Sequence, residues 1–234
     1  MKTPRSFVAA LARTRLDSVF NPYAEACPEH DRADAPALRR RNLEAWLEAA
    51  LVARVDTIWI ARDLGYRGGR RTGLPLTDEV HLKDAGTLLG GIEFHRATRG
   101  PVVAERTAAI VWRMLTAIAE PAVLWNVFPL HPHGAGDPLS NRCHTRTERE
   151  ATAPLLRGLI AIFRPRRIVA IGRDAQLALE GLDIPVTGVR HPSYGGQADF
   201  IAGIAALYGV DPERPSASPQ LPLDHAASAG LALA

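Results

Sequence analysis

Four short apolar runs rich in β-branched residues, separated by amphipathic stretches, constrain this chain more than any other feature. They are "DTIWIA" at 56–61, "AVLWNVF" at 122–128, "RIVAIG" at 167–172 and "IPVTGV" at 184–189. Runs of that length without polar alternation read as strands covered on both faces. The segments between them carry apolar residues at helical spacing. Leu43, Trp46, Leu47, Ala50 and Leu51 follow the start signals Asp34 and Pro36, and Val111, Met114, Leu115 and Ile118 mark a helix within 104–119. Leu155, Leu156, Leu159, Ile160 and Phe163 form a stripe behind a capping box read as Thr147 with Glu150. A further helix ends near Gly181, and Phe200, Ile201, Ile204 and Leu207 mark a last one. This alternation predicts a three-layer α/β/α sandwich around a central four-stranded, mostly parallel sheet. The domain is expected over 1–210, with a Pro-, Ala- and Ser-rich disordered tail at 211–234. Residues 81–103 read as an irregular excursion over the sheet edge.

A chain of 234 residues has room for one sizeable core. No run approaches the roughly 20 apolar residues a membrane span needs, and the N-terminus lacks a secretory h-region. A cytoplasmic, monomeric protein is expected. Cys27 and Cys143 are far apart, each without a CxxC neighbour, which argues against a four-cysteine zinc or iron–sulfur site and a disulfide framework. Net charge is only +3, but arginine clusters in "LRRRN" at 38–42, "GYRGGRRTG" at 65–73 and "FRPRRI" at 163–168. Arginine pairs bidentately with phosphate, which favours a polyanionic partner; ordinary solvated surface is the competing reading.

Ligands of parallel sheets bind beyond the carboxyl ends of the strands. That rule gathers "ARDLGYRGG", "NVFPLHP" and "RHPSYGG" around one crevice, with Asp63, Asn126, His131, Asn141, His191 and Ser193 as its polar inventory. Asp63 has three readings: general base, metal ligand or helix cap. His131 and His133 are close, yet no second carboxylate joins them at ligand spacing, so no metal and no cofactor are expected. The absence of GxxxxGK[ST], GxGxxG and GxSxG removes support for nucleotide hydrolysis, dinucleotide binding and acyl transfer on an α/β-hydrolase elbow. Taken singly, Asn126 could brace a turn, His191 could be a satisfied core histidine, and Leu76 could simply pack.

Three segments together carry a resemblance. "ARDLGYRGGRRTGLPLTDE", "WNVFPLHPHGAGDPLSNR" and "VRHPSYGG", in that order, resemble motif A, the base-reading asparagine segment and motif B of the uracil-DNA glycosylase superfamily. The likeness spans roughly residues 20–208. It implies that Asp63 positions the attacking water, Asn126 reads the O4 and N3 edge of uracil, and His191 stabilises charge on the departing base at O2. Ser193 then matches a phosphate-gripping hydroxyl. Gly65 stands where one branch has a thymine-excluding tyrosine, and Leu76 where a phenylalanine stacks on the base. With Arg62, these make up the expected base pocket. The family's wedge leucine is missing, so Tyr194 or Gln197 must fill the gap in the duplex, and Arg67, Arg71 and Arg190 join them along the DNA.

Cleaving an N-glycosidic bond leaves a cationic sugar and an anionic base. An ionised Asp63 suits the first and a neutral, donating His191 the second. The base must be flipped from the stack, at a cost of a few kcal/mol. What the resemblance implies is a monofunctional uracil-DNA glycosylase of base-excision repair, acting on uracil-containing DNA without a crevice lysine for lyase chemistry. Two alternatives stand: a broader enzyme for hypoxanthine or xanthine, through the open Gly65 position, and a non-catalytic lesion-binding module.

Overall fold

The structure, a computed structural model, describes residues 1–211. In chain order the elements are α1 (Pro4–Arg13), β1 (Val19–Phe20), α2 (Ala35–Val52), β2 (Thr57–Asp63), α3 (Gly69–Thr72), α4 (Leu82–Leu88) and α5 (Arg106–Ile118). There follow β3 (Val123–Phe128), β4 (His131–Pro132), α6 (Arg146–Phe163), β5 (Arg167–Ile171), α7 (Arg173–Ala178), β6 (Val186–Val189) and α8 (Gln197–Tyr208). All four apolar runs are strands of one sheet, ordered β3-β2-β5-β6. Every pairing in it is parallel, rather than mostly so. A small antiparallel pair, β1 with β4, stands apart.

The register explains how both faces are covered. Trp59 of β2 lies opposite Leu124 and Val169, and its ring meets Phe200 and Tyr208 of α8. The next cross-strand pair, Ile60 with Trp125, points the other way because side chains alternate along a strand. On that face Trp125 packs on Phe7 of α1, ring centroids 5.2 Å apart. Helices therefore lie on both sides of the sheet, α8 with α5 on one and α1 with α6 on the other.

Several local expectations are corrected. The capping box is Thr145 with Glu148, two residues earlier than Thr147 and Glu150: Thr145 accepts from the Glu148 N–H, and the Thr145 N–H donates to the Glu148 carboxylate at 2.6 Å. Thr147 and Glu150 share the same spacing, but Arg142 grips Glu148 and so fixes the earlier start. Residues 81–103 are not irregular throughout, since 82–88 form α4 and Phe94, Ala97 and Thr98 are buried. Helix α1, behind its own Thr3 cap, had no counterpart in the pattern of apolar runs. The expected tail at 211–234 lies, but for Asp211, outside the described residues. Among the described residues no helix is long and apolar enough to cross a membrane.

Candidate functional site

The strand order makes a crevice. The chain passes from β2 to β3 on one side, then returns to place β5 on the other, and ligands bind at such a reversal, beyond the carboxyl ends of the strands. A cavity of about 480 Å³ opens there. It is walled by the end of β2 (Ala61 to Gly65), the turn after β5 (Ile171 to Asp174), the segment after β6 (Arg190, His191, Ser193, Tyr194), Asn141 and Arg142, Leu76, and Glu105 with Thr107. This volume is within the range of small-ligand pockets and suits a nucleobase with part of its sugar.

Asp63 is the last residue of β2, and its side chain is only 10% exposed. Oδ2 accepts from Arg62 Nε at 2.6 Å, and Arg62 NH1 continues to Asp174 Oδ2 at 2.5 Å. Burial works against the Arg62 charge, but the bonds to Asp174 and Asp63 outweigh it and raise the guanidinium pKa. Oδ1 is bonded to His144 Nδ1 and, more loosely at 3.4 Å, to the His144 backbone N–H. The His144 ring is itself stacked on Phe128, the residue beside Asp63 across the sheet. The carboxylate is thus oriented from both sides, with acceptor capacity left for a water.

His191 is arranged differently. The Ser193 backbone N–H donates to Nδ1 at 3.1 Å, and Ser193 Oγ lies 2.8 Å from the same nitrogen. An accepting Nδ1 puts the ring proton on Nε2. Burial, then the charges of Arg62 and Arg190, lower the His191 pKa to about 4, with Asp174 opposing. The imidazole is therefore a neutral donor at pH 7. Gly196 permits this turn: a Cβ there would come within 2.2 Å of the His191 carbonyl oxygen.

Asn141 is held by its Oδ1, which accepts from the Tyr66 backbone N–H at 3.1 Å and from His131 Nε2 at 3.2 Å. His131 is fully buried. Its Nδ1 faces Arg70 NH1 at 3.1 Å, and burial followed by the Arg70 charge pushes its pKa down to about 3. Arg142 closes the same loop by a two-pronged bond to Glu148 and by donating to the His133 carbonyl at 2.8 Å.

The model of the uracil-DNA glycosylase superfamily matches residues 65–205, more than half of the sequence. The chain belongs to the uracil-DNA glycosylase superfamily. No curated protein matches the sequence. Among solved structures, the crystal structure of wild-type SMUG2 from Pedobacter heparinus aligns with a TM-score of 0.59 and 14% identity, over 89% of this chain and 97% of that one. At that identity the shared property is the fold.

Within this superfamily member, the expected residues fall into three groups. Asp63, Arg62, Gly65, Leu76, His191, Ser193, Tyr194 and Arg190 all line the cavity. Leu76 does so with φ of +55°, a conformation costly for a branched side chain. Tyr194, at φ of +50°, is 98% exposed beside the mouth. Asn126 does not line the cavity. It sits inside β3 rather than beyond its end, is buried, and donates to the Asp63 carbonyl at 3.0 Å while Oδ1 has no partner. Arg67 is exposed, its Nε donating to the Tyr66 hydroxyl at 2.7 Å, and Gln197 opens α8. Arg71 is turned inward, 7% exposed and paired with Glu79 at 3.2 Å.

The arginine clusters thus have a use that neither initial reading included. Arg39, Arg70 and Arg71 are buried scaffold. Arg39 pairs with Asp31 and donates from Nε to the Arg71 carbonyl at 3.0 Å, while Arg70 lies over the Phe20 ring. Among the site residues, His144, Glu105 and Asp174 escaped the sequence reading. Asp174 alone had a positional signal, two residues past the glycine that ends "RIVAIG".

Proposed function

We propose that the protein is a monofunctional DNA glycosylase that flips uracil from DNA and releases it by hydrolysis, leaving an abasic site. The observation that carries this reading is the pairing, in one cavity, of a carboxylate at the end of β2 with a neutral imidazole at the end of β6. Breaking the base–sugar bond builds positive charge on the sugar and negative charge on the base. Asp63 faces the first and holds the water. His191 Nε2–H donates to the second, and a preorganised donor of this kind is worth about 10²–10³-fold in rate. Asn126, buried behind Asp63 with an unpartnered Oδ1, reads a base only if the Asp63 strand end shifts to admit it, so the reading rests on Asp63 and His191. Exposed Arg67 and Arg190 are placed to meet phosphates, and Tyr194 to enter the space left by the base.

A second reading, release of hypoxanthine or xanthine as well, rests on Gly65, which contributes no side chain to the wall; the Glu105 carboxyl stands in that space, so a purine has to lie against it. The experiment is base release under single-turnover conditions from matched oligonucleotides carrying uracil, hypoxanthine, xanthine or thymine, with EDTA present. Uracil release, lowered about 10²–10³-fold in His191→Ala, is the expected result; additional purine release establishes the broader range. Silence on all four would leave the lesion-binding module in its place.

A further inference from the structure

Glu105 stands at the start of α5, outside the three strand-end motifs, and lines the cavity against the glycine-rich loop. Two of that loop's four glycines, Gly65 and Gly68, lie against it. A Cβ on Gly65 would lie 2.3 Å from Glu105 Oε1, and one on Gly68 would lie 2.2 Å from Oε2. The carboxyl therefore occupies the space that side chains at those positions would fill.

It is not there as a helix cap, because no cap bond reaches its side chain; the backbone N–H instead donates to Asp78 Oδ2 at 2.6 Å. Nor is it half of an ion pair. Among the described residues, no hydrogen bond or salt bridge engages Oε1 or Oε2. A half-buried carboxyl with no protein partner, in the wall of a ligand cavity, is free to give its hydrogen bonds to a ligand that displaces water there.

We propose that Glu105 is a base-contacting residue whose neutral carboxyl pairs, O–H to carbonyl oxygen and C=O to N–H, with the lactam edge of a deaminated base. Uracil, hypoxanthine and xanthine all present that –NH–C(=O)– edge. The inference rests on the glycosylase reading and names the substrate class of the same pocket. A carboxylate, being an acceptor only, would be repelled by the lactam oxygen.

The surroundings keep the neutral form available up to about pH 7. Burial, then the charge of Asp78, raises the Glu105 pKa to about 7, and Arg67 in the glycine-rich loop opposes. Asp78 is a fixed charge: burial works against it, but the bonds from His81 and from the Glu105 N–H hold its own pKa low. Across the cavity stand Asp63, Arg62, His191, Arg142, Arg173, Asp174 and Arg190. On its own helix Arg106 is exposed.

The test compares wild type, E105A and E105Q in single-turnover release of uracil and hypoxanthine from single-stranded oligonucleotides, between about pH 5.5 and 9. Glutamine keeps the shape and offers a donor and an acceptor at every pH. For a group titrating near 7, the wild-type rate is expected to fall about tenfold from pH 6 to 8. E105A loses about tenfold or more at pH 6, the loss of one base contact, and E105Q recovers most of it with the fall above pH 7 removed. Thermal melts confirm folding, and E105Q decides by its slope if E105A is unstable. An E105A rate within about twofold of wild type at every pH, or an E105Q profile that keeps the wild-type slope, overturns the inference while leaving the glycosylase reading intact. A wild type silent on both bases overturns both.

Discussion

His144 settles how Asp63 is held. Its ring stacks on Phe128 and meets Asp63 Oδ1 through Nδ1, while Arg62 holds Oδ2, so the acid reaches the cavity with both oxygens oriented. A hydrogen bond to a charged group is worth about 1.5–3 kcal/mol. His144→Ala is therefore expected to lower single-turnover excision by about ten- to a hundredfold through Asp63 misplacement, with DNA affinity kept. His144→Asn, which can still donate, should recover part of the loss; equal losses in both variants would make the histidine structural only. Asp63 and His191 were legible because each lies in a contiguous motif at a strand end. His144 and Glu105 were not, since each acquires its meaning from a partner 81 residues away in one case and from contact with Gly65 and Gly68 in the other.

The elements behind the site are tied down by charge. Glu148 serves at once as the third helical residue of the capping box and as the partner of Arg142, which anchors the loop carrying Asn141 and His144. The hydrogen bond from Arg142, helped by the Thr145 N–H, lowers its pKa from 4.5 to about 2. A carboxyl depressed on folding stabilises above its unfolded value and loses that stabilisation as pH falls through the folded one. Wild type should therefore exceed Glu148→Gln in Tm above pH 4.5, and the gap should close between 4.5 and about 2. A gap independent of pH would show that the charge contributes nothing. The strands were readable from apolar runs alone, to within a few residues. The cap was displaced because two Thr-x-x-Glu spacings overlap here, and only the Arg142 contact chooses between them.

At the scale of the molecule, the α/β alternation announced a sheet with helices on both sides. It could not give the order β3-β2-β5-β6, which follows from how the crossovers pack. That order puts the reversal beside β2 and gathers the ends of β2, β5 and β6 at the cavity, while Asn126 stays inside β3 on the other side of Asp63. It also explains the basic loop at 65–73. Two of its arginines support the turn from beneath, Arg67 remains outside, and Asp63 lines the cavity at the end of β2 where the loop begins.

The most direct measurement is single-turnover uracil release by Asp63→Asn beside wild type, with binding to the same oligonucleotide followed in parallel. The account predicts a loss of at least about a hundredfold in the chemical step with binding retained. An Asp63→Asn protein that releases uracil at the wild-type rate would contradict it.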